Sequence, residues 1–192
     1  MIWAHHPSGK FTIKSAWELM RDKKPENCTH KLLWFTSNIP RHAFILWLAV
    51  QGRLRTMDRA YRDTEGATCT LCESEMESHD HLFFKCNYST TVWMNINLKV
   101  QLQWRNADWA DFIKWAAQDW GKKNNFRHLT ACLVLSSTVY FLWYERNRRI
   151  FREEAHSPSS LTEEIFQLLR THLANLEKAY QIDDRERLIW GL

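Results

Sequence analysis

Cys69-Thr-Leu-Cys72-Glu-Ser-Glu-Met-Glu-Ser-His79-Asp-His81-Leu-Phe-Phe-Lys-Cys86 places three cysteines and two histidines within eighteen residues. With His81 taken as the histidine, the segment spells C-x2-C-x8-H-x4-C. Zinc prefers four tetrahedral ligands drawn from thiolate and imidazole, and ligand pairs a few residues apart suit one tight turn. Cys69 and Cys72 therefore supply a knuckle, and His81 and Cys86 close the site from a short helix or turn. Four protein ligands leave no position for water, so such a centre is structural and not hydrolytic. His79 competes with His81 for the fourth place; the apolar Leu82 and Phe83 that follow His81 favour the latter. One zinc ion per chain is expected.

Outward from this segment the chain reads as helical. It has eleven Trp and ten Phe but only five Gly and four Pro among 192 residues. Few breakers and many bulky rings point to helices burying large side chains. The expected class is mainly α: a helical bundle with a small CCHC zinc knuckle and at most a short N-terminal strand or hairpin. That strand falls at Lys10–Ile13, before a helix from about Ser15 to Arg21 with Ala16, Leu19 and Met20 facing inward. Pro40 opens a helix carrying Phe44, Leu46 and Trp47, with Gly52 as its stop. Thr56 is positioned to cap a short helix through Tyr61, and Ser89 to open another. Asp108 caps a helix that Gly121 ends.

The longest helix is predicted over about Asn125 to Arg152. Its apolar residues cover most sides, which marks a central, buried element. Trp143 is expected on the buried side. Ser160 and Glu163 form a capping box for a final amphipathic helix. A composition shift near Leu102–Asp108 divides the chain into a zinc-containing module, 1–105, and a helical module, 106–192.

The five cysteines are an odd number and no apolar leader precedes them, which argues against a secreted disulfide framework. The expected setting is intracellular, nucleus or cytoplasm. Cys28 and Cys132 lie in apolar surroundings and read as core thiols. The most apolar run, Phe44 to Val50, is too short to span a membrane.

The formal net charge is +4. Arg53, Arg55, Arg59 and Arg62 crowd the approach to the knuckle and are the candidate nucleic-acid contacts, with surplus aromatics available to stack on unpaired bases. Arg146, Arg148 and Arg149 form a second basic run, readable as a phosphate or nuclear-import patch or as favourable charge at a helix C-terminus. No nucleophile motif, phosphate-cradling loop or open metal triad is present, and Asp58, Asp63 and Glu65 are scattered acids. The chain is therefore expected not to be an enzyme and to have no small-molecule substrate.

Together these residues resemble a known domain. Ile2-Trp3, Gly9-Lys10-Phe11-Thr12-Ile13-Lys14-Ser15-Ala16-Trp17, Leu33-Trp34, Ile39-Pro40, Arg53-Leu54, the zinc segment and Val92-Trp93 are similar, in order, to the reverse-transcriptase zinc-binding domain of plant LINE-type (non-LTR) retrotransposons. The segment from Val139 to Phe151 resembles the one that closes many such polyproteins. The resemblance implies that Cys69, Cys72, His81 and Cys86 are the zinc ligands. It also implies a role beside nucleic acid, as a non-catalytic module binding RNA or single-stranded DNA weakly. The chain carries no Tyr-x-Asp-Asp polymerase signature, and Met1 falls just before the first shared motif, as in an excised fragment or a host-adopted copy. A host copy has a second possible role, as an adaptor, inhibitor or antidote that binds a protein partner through exposed aromatics.

Overall fold

The computed structural model describes residues 3–4, 7–21, 29–60, 68–102, 104–105, 107–120 and 125–192. Among them the chain is mainly helical, and the sole β pairing is an isolated antiparallel bridge between Thr68 and Met76. The helices are α1 (Ile13–Met20), α2 (His30–Leu33), α3 (Pro40–Val50), α4 (Met57–Ala60), α5 (Asn87–Val100), α6 (Trp109–Asp119), α7 (Phe126–Arg152), α8 (Pro158–Ala174) and α9 (Asp184–Trp190). A single π-helical turn, His81–Lys85, immediately precedes α5.

α7 organises the molecule. Asn125 caps it by accepting from the backbone N–H of His128. Leu133, Val134, Leu135, Val139 and Leu142 are fully buried along it. α3 and α8 pack against α7, and α5 packs along α8. Elements from before and after residue 105 thus contribute to one continuous apolar cluster. His42 of α3, fully buried, joins this interface through its Nδ1, 2.9 Å from the Ser137 hydroxyl of α7. No helix among the described residues is long and apolar enough to cross a membrane.

Several expected details differ. Lys10–Ile13 forms no strand: Thr12 caps α1, exchanging hydrogen bonds with Ser15 in a capping box. The inward face expected for α1 is also wrong, since Ile13, Trp17, Leu19 and Met20 are all exposed. α8 begins earlier than predicted, with Ser157 accepting from Ser160 N–H and Pro158 in the first turn, where its missing N–H costs nothing. α5 starts at Asn87, and Ser89 instead donates to the Leu82 carbonyl at 2.6 Å.

Trp143 is only partly buried, because the Leu135–Val139–Leu142 face turns most fully inward. Asp108 caps α6 as expected, accepting from Asp111 N–H. Cys132 is a core thiol, pushed up to about 12 by burial. Cys28, Tyr61, Asp63, Glu65 and Gly121 lie outside the described residues.

Candidate metal centre

The knuckle is built by short-range backbone bonds. Cys69 N–H donates to the Glu75 carbonyl at 2.7 Å, and Glu73 N–H donates back to the Cys69 carbonyl at 2.8 Å. Glu73 takes a positive φ of 54° to complete the reversal, and the Thr68–Met76 bridge closes the loop at its base. Cys69 and Cys72 are thereby held on one side of a tight turn.

His81 and Cys86 come from the other side, five residues apart. On an α-helix residues so spaced point about 140° from each other. The π turn solves this: its i→i+5 bond, Cys86 N–H to the His81 carbonyl at 2.7 Å, winds both side chains toward the knuckle. Leu82 and Phe83, fully buried, anchor the turn in the core.

The four side chains meet. Sγ of Cys69, Cys72 and Cys86 and a ring nitrogen of His81 all lie within 4.8 Å of one another. Cys69 Sγ is 3.9 Å from Cys86 Sγ, and Cys72 Sγ is 3.3 Å from His81 Nε2. With metal–sulfur bonds near 2.3 Å and metal–nitrogen bonds near 2.0 Å, tetrahedral geometry calls for about 3.8 Å and about 3.5 Å. The spacing fits.

Electrostatics agree. The hydrogen bond to Cys86, and then burial, push the Cys69 thiol up, while the same hydrogen bond, opposed by burial and helped by the Ser89 and Tyr88 backbone N–H groups at the start of α5, brings Cys86 down to about 5. Two buried sulfurs this close cannot both be anionic by themselves, so one keeps its proton; a divalent cation removes the conflict. Burial raises Cys72, but hydrogen bonds led by Ser74 outweigh it and its net shift is downward. His81 turns its other nitrogen, Nδ1, to the Glu75 carboxylate at 3.2 Å. A carboxylate behind an imidazole fixes its tautomer and orientation for metal binding. The donor set fits a single structural zinc.

His79 points elsewhere. It is buried edge-on against Phe83 and Trp109, at centroid distances of 5.0 and 4.8 Å, and belongs to the packing between the π turn and α6.

The basic runs divide differently from the sequence reading. Arg53 and Arg55 are exposed, and Arg53 stacks over Trp47 at 5.5 Å. Arg59 is exposed but folds back to donate to the Gly52 carbonyl. Arg62 lies outside the described residues. The run at 146–149 is neither a phosphate patch nor simple helix-end charge. Arg146 clamps the buried Glu77 with two hydrogen bonds, 2.8 and 3.2 Å. Glu145, fully buried, accepts from Arg148 and Arg149. Arg149 also donates to the Thr70 and Leu71 carbonyls at 3.2 and 3.1 Å, between the first two sulfurs. Arg146 and Arg149 bolt the end of α7 to the knuckle, whereas Arg148 pairs within the helix. Sequence spacing gave no sign of it, since Glu77 lies 69 residues from Arg146.

No curated protein and no solved structure matches the chain. Residues 11–93 match the family model described as zinc-binding in reverse transcriptase, and all four clustered residues fall within that span. The segment that builds the metal centre is therefore similar to the zinc-binding domain found in reverse transcriptases.

Proposed function

We propose that this chain is a non-catalytic module derived from a retrotransposon polyprotein. Zinc held by Cys69, Cys72, His81 and Cys86 braces a surface that binds RNA or single-stranded DNA weakly and with little sequence preference. The observation that carries this reading is the placement of Arg53 and Arg55. Both are exposed, neither is ion-paired among the described residues, and both lie within the matched segment. The family works in an enzyme whose substrates are nucleic acids, and unpaired guanidinium groups neutralise phosphate. An intracellular setting, nucleus or cytoplasm, accords with thiolates kept reduced for metal.

The test is binding to random single-stranded RNA across a salt series. Replacing Arg53 and Arg55 together by Ala should weaken binding and reduce the salt slope by about one unit per lost phosphate contact. Arg170→Ala on α8 should change neither. Absence of RNA and DNA binding by the wild type at low salt removes the proposal.

One observation favours a protein-interaction module instead. α1 exposes Ile13, Trp17 and Met20 at helical spacing, with Phe11 beside them, and such a stripe is an ordinary docking face. In that reading the zinc is purely structural and the chain acts as an adaptor, inhibitor or antidote. Trp17→Lys would then abolish capture of a specific partner while leaving RNA affinity unchanged.

A further inference from the structure

Beside the zinc centre, the π turn, α5 and the start of α6 enclose a cleft of about 640 Å³. Its walls are aromatic: Phe84, Trp93, Trp104, Trp109 and Phe112 all line it. Trp104 stacks on Phe112 with centroids 5.2 Å apart and 16° between planes, and Trp93 approaches Trp104 at 4.9 Å. Phe84, Trp93 and Trp104 pack against the core but are only partly buried, and all three line the cleft. The indole N–H of Trp104 is buried and has no hydrogen-bond partner.

The rim is charged in a particular way. Lys85 and Arg105 both line the cleft, both are exposed, and neither is paired with an acid among the described residues. Two acids also line it. Asp108 is occupied in capping α6. Asp80, at the N-cap of the π turn, also lines the cleft, and its carboxylate suits an N–H donor and not a phosphate.

We propose that this cleft receives one unpaired base of a single-stranded nucleic acid. The ring stacks among Trp93, Trp104 and Phe84, which tolerate any base because every base has a π face. Lys85 and Arg105 hold the flanking phosphates, and Asp80 accepts from the base edge, as carboxylates do from exocyclic amines. A purely apolar occupant leaves the two rim cations unexplained. A ring carrying phosphates uses both features. This assignment rests on the nucleic-acid reading above and adds to it a base-holding site distinct from Arg53 and Arg55.

The test compares a single-stranded RNA 12-mer with an abasic 12-mer of the same charge, using anisotropy on the full zinc-loaded chain. Wild type should prefer the base-bearing strand by about tenfold, the order expected for one stacked base. Trp104→Leu should erase that preference. Met94→Glu serves as a second variant safe for folding, because Met94 lines the cleft yet is 66% exposed; it should erase the preference too. Arg53→Ala with Arg55→Ala should weaken both strands equally and keep the preference. Equal wild-type affinity for the two strands overturns the base site and leaves the phosphate-binding reading standing. Failure to bind either strand at low salt overturns both.

Discussion

His81 divides its two ring nitrogens between a sulfur and a carboxylate, and this division explains why it, and not His79, belongs to the metal centre. His79→Ala should therefore leave zinc stoichiometry at one, whereas His81→Ala should not; elemental analysis of the purified variants distinguishes them. Glu75→Gln keeps the fold but weakens the hydrogen bond behind the imidazole. It should lower zinc affinity by about 10- to 100-fold in chelator competition. Retention of full affinity would show that the exposed Glu75 does not orient the ring.

His42 provides a separate residue-scale test. Burial, then the Arg41 and His172 charges, push it down to about 3 from an ordinary 6.5. Between those values the unfolded chain takes up a proton that the folded chain refuses. Stability is thus complete above about pH 6.5 and declines as pH falls below it, by about 2 kcal/mol from pH 7.5 to pH 5. Denaturant melts at the two pH values should show that loss, and His42→Gln should flatten it. An unchanged slope in His42→Gln would place the titration elsewhere.

At the scale of elements, the end of α7 is coupled to the zinc domain through buried charge. Glu77 accepts from Arg146 and also from Met57 N–H at 2.8 Å, so one carboxylate caps α4 and anchors α7. Arg146→Ala leaves that carboxylate buried and uncompensated. It should cost about 3–5 kcal/mol in chemical denaturation, with much of the loss recovered when Glu77→Gln is added. Additive losses in the double variant would mean that the pair is not coupled. Leu142→Ala on the same helix should cost about 2–5 kcal/mol, more than Trp143→Ala, because Leu142 has no exposed surface and Trp143 retains some.

These elements also show what the sequence carries. The metal centre was legible because its chemistry is local: cysteines three residues apart need only one turn. α7 and its Asn125 cap were legible from apolar spacing. The role of Arg146, Arg148 and Arg149 was not, because a guanidinium reads identically whether it faces water or a carboxylate far along the chain. The exposure of α1 is hidden for a related reason: its apolar stripe signals an amphipathic helix but says nothing of whether a partner within the chain covers it. The π turn was anticipated only as a short helix or turn, since the histidine–cysteine spacing of five does not specify the winding.

Across the whole molecule, the surplus of tryptophan is mostly spent inside. Trp109, Trp120 and Trp190 are buried, most of the others are partly buried, and Trp17 and Trp34 are exposed. Phe83, Phe84, Trp93, Trp104, Trp109 and Phe112 form a continuous aromatic layer between the π turn and α6. Trp93 secures it by donating to the Phe83 carbonyl at 2.7 Å. The metal centre therefore sits at the junction of this layer with the end of α7, and its loss should be felt well beyond residues 69–86. The most direct measurement is native mass spectrometry paired with thermal melting, before and after chelation, on wild type and Cys86→Ser. One zinc per chain is expected in the wild type, removed by chelator together with a large fall in melting temperature. Cys86→Ser should bind zinc weakly and be less stable by several kcal/mol. A chain that carries no zinc and melts identically with and without chelator would contradict the account.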